Sequence, residues 1–279
     1  MLIVTLSTIP SRFGMIRPTL DCLLNQSLRP DRVIIYVPES YARFPDYDGG
    51  LPEVPEGVEV QRTPQDLGPA TKILPAIQQF RGSDCTLVFC DDDQIFPRNW
   101  LEQLVTRARK RPDDCIVSVG ANLKDQDVTP PTGPQRQPRA LRFWRILDPF
   151  IRLRMARKWM VEKLTGRAQP PATRRPILRS GYMDIVIGAG GVLVRPEFLD
   201  HPDAFDIPEN LRLTDDIWLS GILEANGVGI WVDARHGLRR STFTGQVDAL
   251  QHITEAGNDR RTANARCITY MRENFGIWL

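Results

Sequence analysis

Short runs with few or no polar residues recur along the chain: "LIVTL" at Leu2–Leu6, "VIIYV" at Val33–Val37, "LVFC" at Leu87–Cys90, "CIVSV" at Cys115–Val119 and "GIWV" at Gly229–Val232. A strand with one wet face alternates apolar and polar residues. These runs do not alternate, so they predict strands buried on both faces. Val58–Gln61 adds a shorter strand. Between them, the pattern predicts helices over Ile16–Gln26, Thr71–Phe80, Asn99–Lys110, Thr214–Ala225 and Arg260–Asn274. Leu101, Leu104, Val105 and Ala108 share one helical face. Trp218, Leu219, Ile222 and Leu223 should face a core, with Thr214 as N-cap. Buried strands alternating with helices predict an α/β fold, a mainly parallel, Rossmann-like sheet flanked by helices. The expectation is one domain in three stretches. Residues 1–124 carry the alternation, 125–180 form a Pro- and Arg-rich insertion, and 181–279 return to strand and helix.

Asp91, Asp92 and Asp93 directly follow the "LVFC" run. They stand at the carboxyl end of a strand, where parallel sheets bind ligands. Like charges ~4 Å apart near a surface repel by roughly 4 kcal/mol before screening. A hard divalent cation, Mg²⁺ or Mn²⁺, relieves that repulsion and keeps positions open for substrate phosphates. The alternative is a polar turn, in which Asp is common. Asp215 and Asp216 open a predicted helix, where acids favour the positive end of the dipole. They are either dipole acids or a catalytic pair. Gly188–Gly191 ("GAGG") is either a tight turn or a place of close substrate approach.

The net charge of +2 gives no sign of a nucleic-acid partner. The charge is nevertheless uneven. Arg136–Arg179 holds thirteen Arg and Lys against two acids, a net +11 that leaves about −9 for the remainder. Phe143, Trp144, Phe150 and Trp159 interleave with these cations. Such a segment is expected to form a lid that touches an anionic membrane surface. Phe150, Leu153, Met160, Val161 and Leu164 share a helical face, interrupted by Arg154 and Arg157. The five cysteines, Cys22, Cys85, Cys90, Cys115 and Cys267, include no C-x-x-C pair, which argues against zinc. Their odd number and the placement of three of them on apparent strands suggest reduced, buried thiols and a cytoplasmic setting. "MLIVTLSTIP" reads as a strand, not a signal peptide. No apolar run approaches the ~20 residues of a membrane span. The expected location is cytoplasmic, with peripheral contact at the inner membrane.

An ordered set of motifs resembles the nucleotide-sugar glycosyltransferases of GT-A fold, in particular small bacterial members that build surface polysaccharides. "LIVTLSTIPSR" resembles their opening nucleotide-binding strand and loop, and "LLNQSLRPDRVIIYVP" the next helix and strand. "QDLGPATKILPAI" resembles a segment bordering the nucleotide. "FCDDD" resembles their Asp-x-Asp motif, "TDDIWLSGIL" their later acidic motif, and "GNDRRTANARCITYMRENFGIW" their tail. The resemblance implies a hexosyltransferase that moves a sugar from a UDP-sugar to a glycan or lipid-linked acceptor. It implies Mn²⁺ or Mg²⁺ held by Asp91 and Asp93, with His236 as a further ligand and His252 second in line. Thr8, Arg12, Asp66, Lys72, Asp91 and Asp92 would line the nucleotide pocket, with Asp66 at the uracil edge. Lys72 would neutralise a phosphate or position the sugar, although Lys72 and Arg12 could equally be solvated surface charges. Asp216 would be the base of an inverting transfer, with Asp215 orienting the acceptor. Two other readings fit parts of the pattern. One is a haloacid-dehalogenase-type phosphatase, which also uses Asp-x-Asp after a strand. The other is a sugar-nucleotide or glycan-binding protein without turnover.

Overall fold

A computed structural model describes residues 1–142, 149–166, 177–234, 240–248 and 260–279. An eight-stranded sheet runs through it. Its strands are β1 (Leu2–Ser7), β2 (Arg32–Pro38), β3 (Val58–Thr63), β4 (Thr86–Phe89), β5 (Asp114–Val117), β6 (Gly181–Met183), β7 (Val192–Val194) and β8 (Gly229–Val232). Their spatial order is β6-β8-β5-β7-β4-β1-β2-β3. The pairs β1–β2, β1–β4, β2–β3 and β5–β8 are parallel. Two strands depart from that direction: β7 lies antiparallel between β4 and β5, and β6 lies antiparallel to β8. The apolar runs could not reveal this, because a strand buried on both faces is equally apolar in either direction.

The helices are α1 (Arg17–Leu24), α2 (Leu74–Gln79), α3 (Trp100–Ala108), α4 (Pro149–Thr165), α5 (Pro196–Leu199), α6 (Asp215–Ala225) and α7 (Arg260–Phe275). Alternate residues of each strand point to opposite faces, so the sheet has two cores. On one face Val4, Leu6, Val33, Ile35 and Val88 pack with Leu20 and Leu23 of α1 and with Trp100, Leu101 and Leu104 of α3. On the other, Ile3, Ile34, Leu87 and Phe89 pack with Leu74 and Ile77 of α2, with α6, and with Cys267, Ile268 and Met271 of α7. Burying one such side chain stabilises by roughly 1.5–3 kcal/mol, and this drives each strand's side chains into both layers.

Two helix starts differ from the expected pattern. The helix expected over Thr71–Phe80 splits into a 3₁₀ turn, Gly68–Lys72, and α2, whose Pro75 stands in its first turn. That break takes Lys72 off the helix and onto a turn that packs against β1 and β2. Thr214 does stand at the N-cap of α6, but its hydroxyl donates to Leu211 O at 2.7 Å and caps nothing in the helix. The segment expected to be an insertion contains α4 and a short antiparallel pair, Leu141–Arg142 with Ile177–Arg179.

Candidate active site

The carboxyl ends of β1, β2 and β4 open onto one cavity of 710 Å³. Ser7, Thr8, Arg12, Pro38, Asp66, Lys72, Asp91, Asp92 and Asp93 border it, as do Asp215 and Asp216 at the start of α6. Residues expected from separate motifs therefore meet in one place. Arg43 and Asp248, which no motif had singled out, also border it, as does Arg260 from the tail motif. They are ordinary surface residue types, and only the folded chain brings them to this rim.

The three strand-end acids have different surroundings. Asp92 is buried, and its carboxylate accepts from Thr8 Oγ1 and from Arg12 Nη1, both at 2.7 Å. Thr19 Oγ1 donates to its backbone oxygen at 2.8 Å. Burial pushes the Asp92 carboxyl up to about 6, with Arg12 and Thr8 opposing the rise. Asp91 is one-third exposed and pairs with Lys72 Nζ at 2.7 Å. Asp93 is half-buried and lies 3.9 Å from Arg12 Nη1. Its backbone oxygen accepts from the amide and hydroxyl of Thr242. Gly245 lies so close above it that an added Cβ would come within 2.6 Å of Asp93 Oδ2. The segment Arg240–Ser241 pairs antiparallel with Gln94–Ile95, which draws this later stretch over the acids.

The chain's own cations thus offset part of the repulsion among the acids. Neither is a solvated surface charge: the side chains of Lys72 and Arg12 are 5% and 12% exposed. Arg12 Nε also donates to Val247 O at 2.9 Å. Lys72 lies between the two acidic groups, with Nζ 2.8 Å from Asp215 Oδ2. That contact is a charge pair off the hydrogen-bonding direction of the oxygen. Burial pulls the Lys72 ammonium down, but Asp215, Asp91 and Asp216 outweigh it and hold the pKa raised.

Asp215 is buried against Lys72. Asp216 is half-buried, and its Oδ1 accepts from the Gly188 amide at 2.8 Å. Burial pushes its carboxyl up to about 7; Asp215 adds to the rise, while Lys72 opposes it. A carboxylate poised near neutrality suits proton transfer. The role of "GAGG" becomes concrete here. A Cβ on Gly188 would lie 2.5 Å from Lys72 Nζ and 3.2 Å from Asp216 Oδ1. Gly191, at φ +89°, leaves room for the Trp100 ring. Asp66 accepts from the amides of Ala42 and Gly68, both at 2.9 Å, which fixes its loop at the rim.

Asp91 and Asp93 offer hard oxygen donors at the cavity, and Mg²⁺ or Mn²⁺ binds through one or two carboxylates together with substrate phosphates. The donor set therefore fits such an ion. Among the described residues, no group of three or more His, Cys, Asp or Glu side chains forms a ready cation cage. His236 and His252 lie outside the described residues.

A family model, glycosyl transferase family 2, matches residues 11–164, more than half of the chain. The chain belongs to glycosyl transferase family 2. The match takes in Arg12, Asp66, Lys72 and Asp91–Asp93 and ends before Asp215. This family 2 protein is a glycosyltransferase of GT-A type, with a mixed α/β sheet that is mostly parallel. Its membership sets aside the phosphatase reading. Among solved structures, S. aureus TarS residues 1–349 in complex with UDP-GlcNAc is similar: 14% identity, a TM-score of 0.51, and coverage of 99% of this chain and 67% of that one. The same S. aureus protein in complex with UDP gives 15% identity and a TM-score of 0.44, covering 98% and 73%. At these identities the likeness concerns the fold alone. No curated protein matches the sequence. No described helix is long and apolar enough to cross a membrane.

Proposed function

We propose that this glycosyltransferase moves a sugar from a UDP-linked donor to a glycan or lipid-linked acceptor of a surface polysaccharide, with inversion at the anomeric carbon. The observation that carries this reading is the single cavity bordered by both acidic groups, Asp91–Asp93 and Asp215–Asp216. Family membership makes the donor a nucleotide sugar, and the UDP-GlcNAc complex of S. aureus TarS makes UDP the first nucleotide to test.

Asp91 and Asp93 would hold Mn²⁺ or Mg²⁺, which supplies charge stabilisation at diphosphate oxygens when bound. The remaining roles fall to the chain. Thr8 and Arg12 fix Asp92, and Asp92 in turn fixes the strand end that presents its neighbours. Asp66 shapes the nucleotide rim. The donor phosphate leaves from one face of the sugar, so the acceptor hydroxyl attacks the opposite face and gives up its proton there. Asp216, on the other side of Lys72 from Asp91, is the base for that proton. Asp215 pairs with Lys72 and so acts by positioning. Lys72 keeps two acidic groups side by side that would otherwise repel.

The test is product stereochemistry. With a UDP-sugar donor, NMR of the product should show the anomeric configuration opposite to the donor's. A retained configuration excludes Asp216 as base of a single displacement. UDP binding with no transfer to any acceptor would favour a binding protein instead.

A further inference from the structure

α4 carries an outward face unlike that of any other described helix. Leu153, Trp159, Met160 and Leu164 are between 55% and 79% exposed. At 3.6 residues per turn, Leu153, Met160 and Leu164 fall on one line along the helix. Arg157 flanks that line on one side, and Arg152 and Lys163 flank it on the other. Trp159 lies beyond them, with Lys163 Nζ 4.8 Å from its ring centre. The remaining side of the helix holds the half-buried residues Lys158, Val161 and Glu162 together with Met155, which is exposed, and Lys158 Nζ is 3.6 Å from Glu162 Oε1. The helix's one acid is thus turned away from the outward face.

From this arrangement we infer that α4 is a docking face for an anionic lipid surface, lying in the headgroup plane with Leu153, Met160 and Leu164 inserted. An apolar line flanked by cations, with Trp at its border, is what an interfacial helix needs. The helix has 17 residues, short of the ~20 that span a bilayer, and it is strongly charged, so it lies on the surface and does not cross it. A second copy of the chain is a poorer occupant, because two such faces would bring like charges together. A nucleic acid would meet the cations but leave the leucines and Met160 uncovered.

The experiment is co-sedimentation with vesicles of phosphatidylcholine alone or mixed with phosphatidylglycerol, at low and high salt. Binding is expected only to the anionic vesicles and should weaken as salt rises. Each basic residue near such a surface is worth roughly 5-fold in partitioning. The triple variant Arg152→Gln, Arg157→Gln, Lys163→Gln should therefore lose about 100-fold. Leu153→Glu combined with Leu164→Glu should abolish binding while leaving the melting temperature unchanged, which separates lost docking from lost folding. Equal binding to both vesicle types, no binding at low salt, or full binding by the double variant would overturn the inference. So would light scattering showing a dimer that the double variant dissolves.

Discussion

Lys72 and the cations of α4 are the same kind of charge in opposite settings. Lys72 is buried, with Asp91 at 2.7 Å and Asp215 at 2.8 Å, and glycine at position 188 keeps its space clear. Arg152, Arg157 and Lys163 face outward beside exposed apolar side chains. Removing one partner from a buried charge pair leaves an uncompensated charge and costs about 3–5 kcal/mol. Changing an exposed charge costs within about 0.5 kcal/mol. The first region uses charge to hold its own parts together, and the second keeps charge available for something outside the molecule.

That contrast can be broken by substitution. The largest effect should come from Asp216→Asn, which keeps size and removes basicity. Turnover should fall by about 10²–10⁴-fold, and calorimetric UDP affinity should be unchanged; full activity would leave Asp215 and Asp216 as helix-start acids. Next is Lys72→Met. Denaturant unfolding should show a loss of about 3–5 kcal/mol, whereas Arg157→Gln on α4 should stay within about 0.5 kcal/mol. Equal effects would erase the distinction between the regions. Gly188→Ala should cost about 1–3 kcal/mol by crowding Lys72, measured in the same way.

A subtler check is the pH profile. Asp216 acts deprotonated, and burial has raised it to about 7. The kcat/KM of the enzyme should therefore rise with pH through a limb centred near 7, because lowering the pH protonates the base. The limb should vanish in Asp216→Asn. In Lys72→Met it should move to higher pH, since the ammonium that favours the charged carboxylate is gone.

Much of this was legible in the sequence. Unbroken apolar runs give buried strands because both faces of the sheet are covered. Asp91–Asp93 and Asp215–Asp216 were legible because adjacent acids at element ends need a reason. What stayed hidden lies in contacts between distant residues. Asp92 read as one more residue lining the nucleotide pocket, yet it is the anchored acid of the three, because Thr8 and Arg12 reach it from the segment that follows β1. Lys72 read as a residue for phosphate or sugar. Its pairing with Asp215 joins the 3₁₀ turn before α2 to the start of α6, a contact between distant segments that periodicity does not show. Thr242 and Gly245 cover Asp93 from 149 and 152 positions away, and nothing local marks them. On α4 the composition was legible, but which side faces out was not, since apolar and basic residues alternate around it.

The most direct test of the account concerns the donor edge. Titrate UDP into the protein by calorimetry, with and without Mn²⁺, and repeat with Asp93→Ala. Mn²⁺ should strengthen UDP binding in the parent protein, and Asp93→Ala should lose that metal-dependent part. An unchanged affinity for Mn²⁺ and UDP in Asp93→Ala would contradict it.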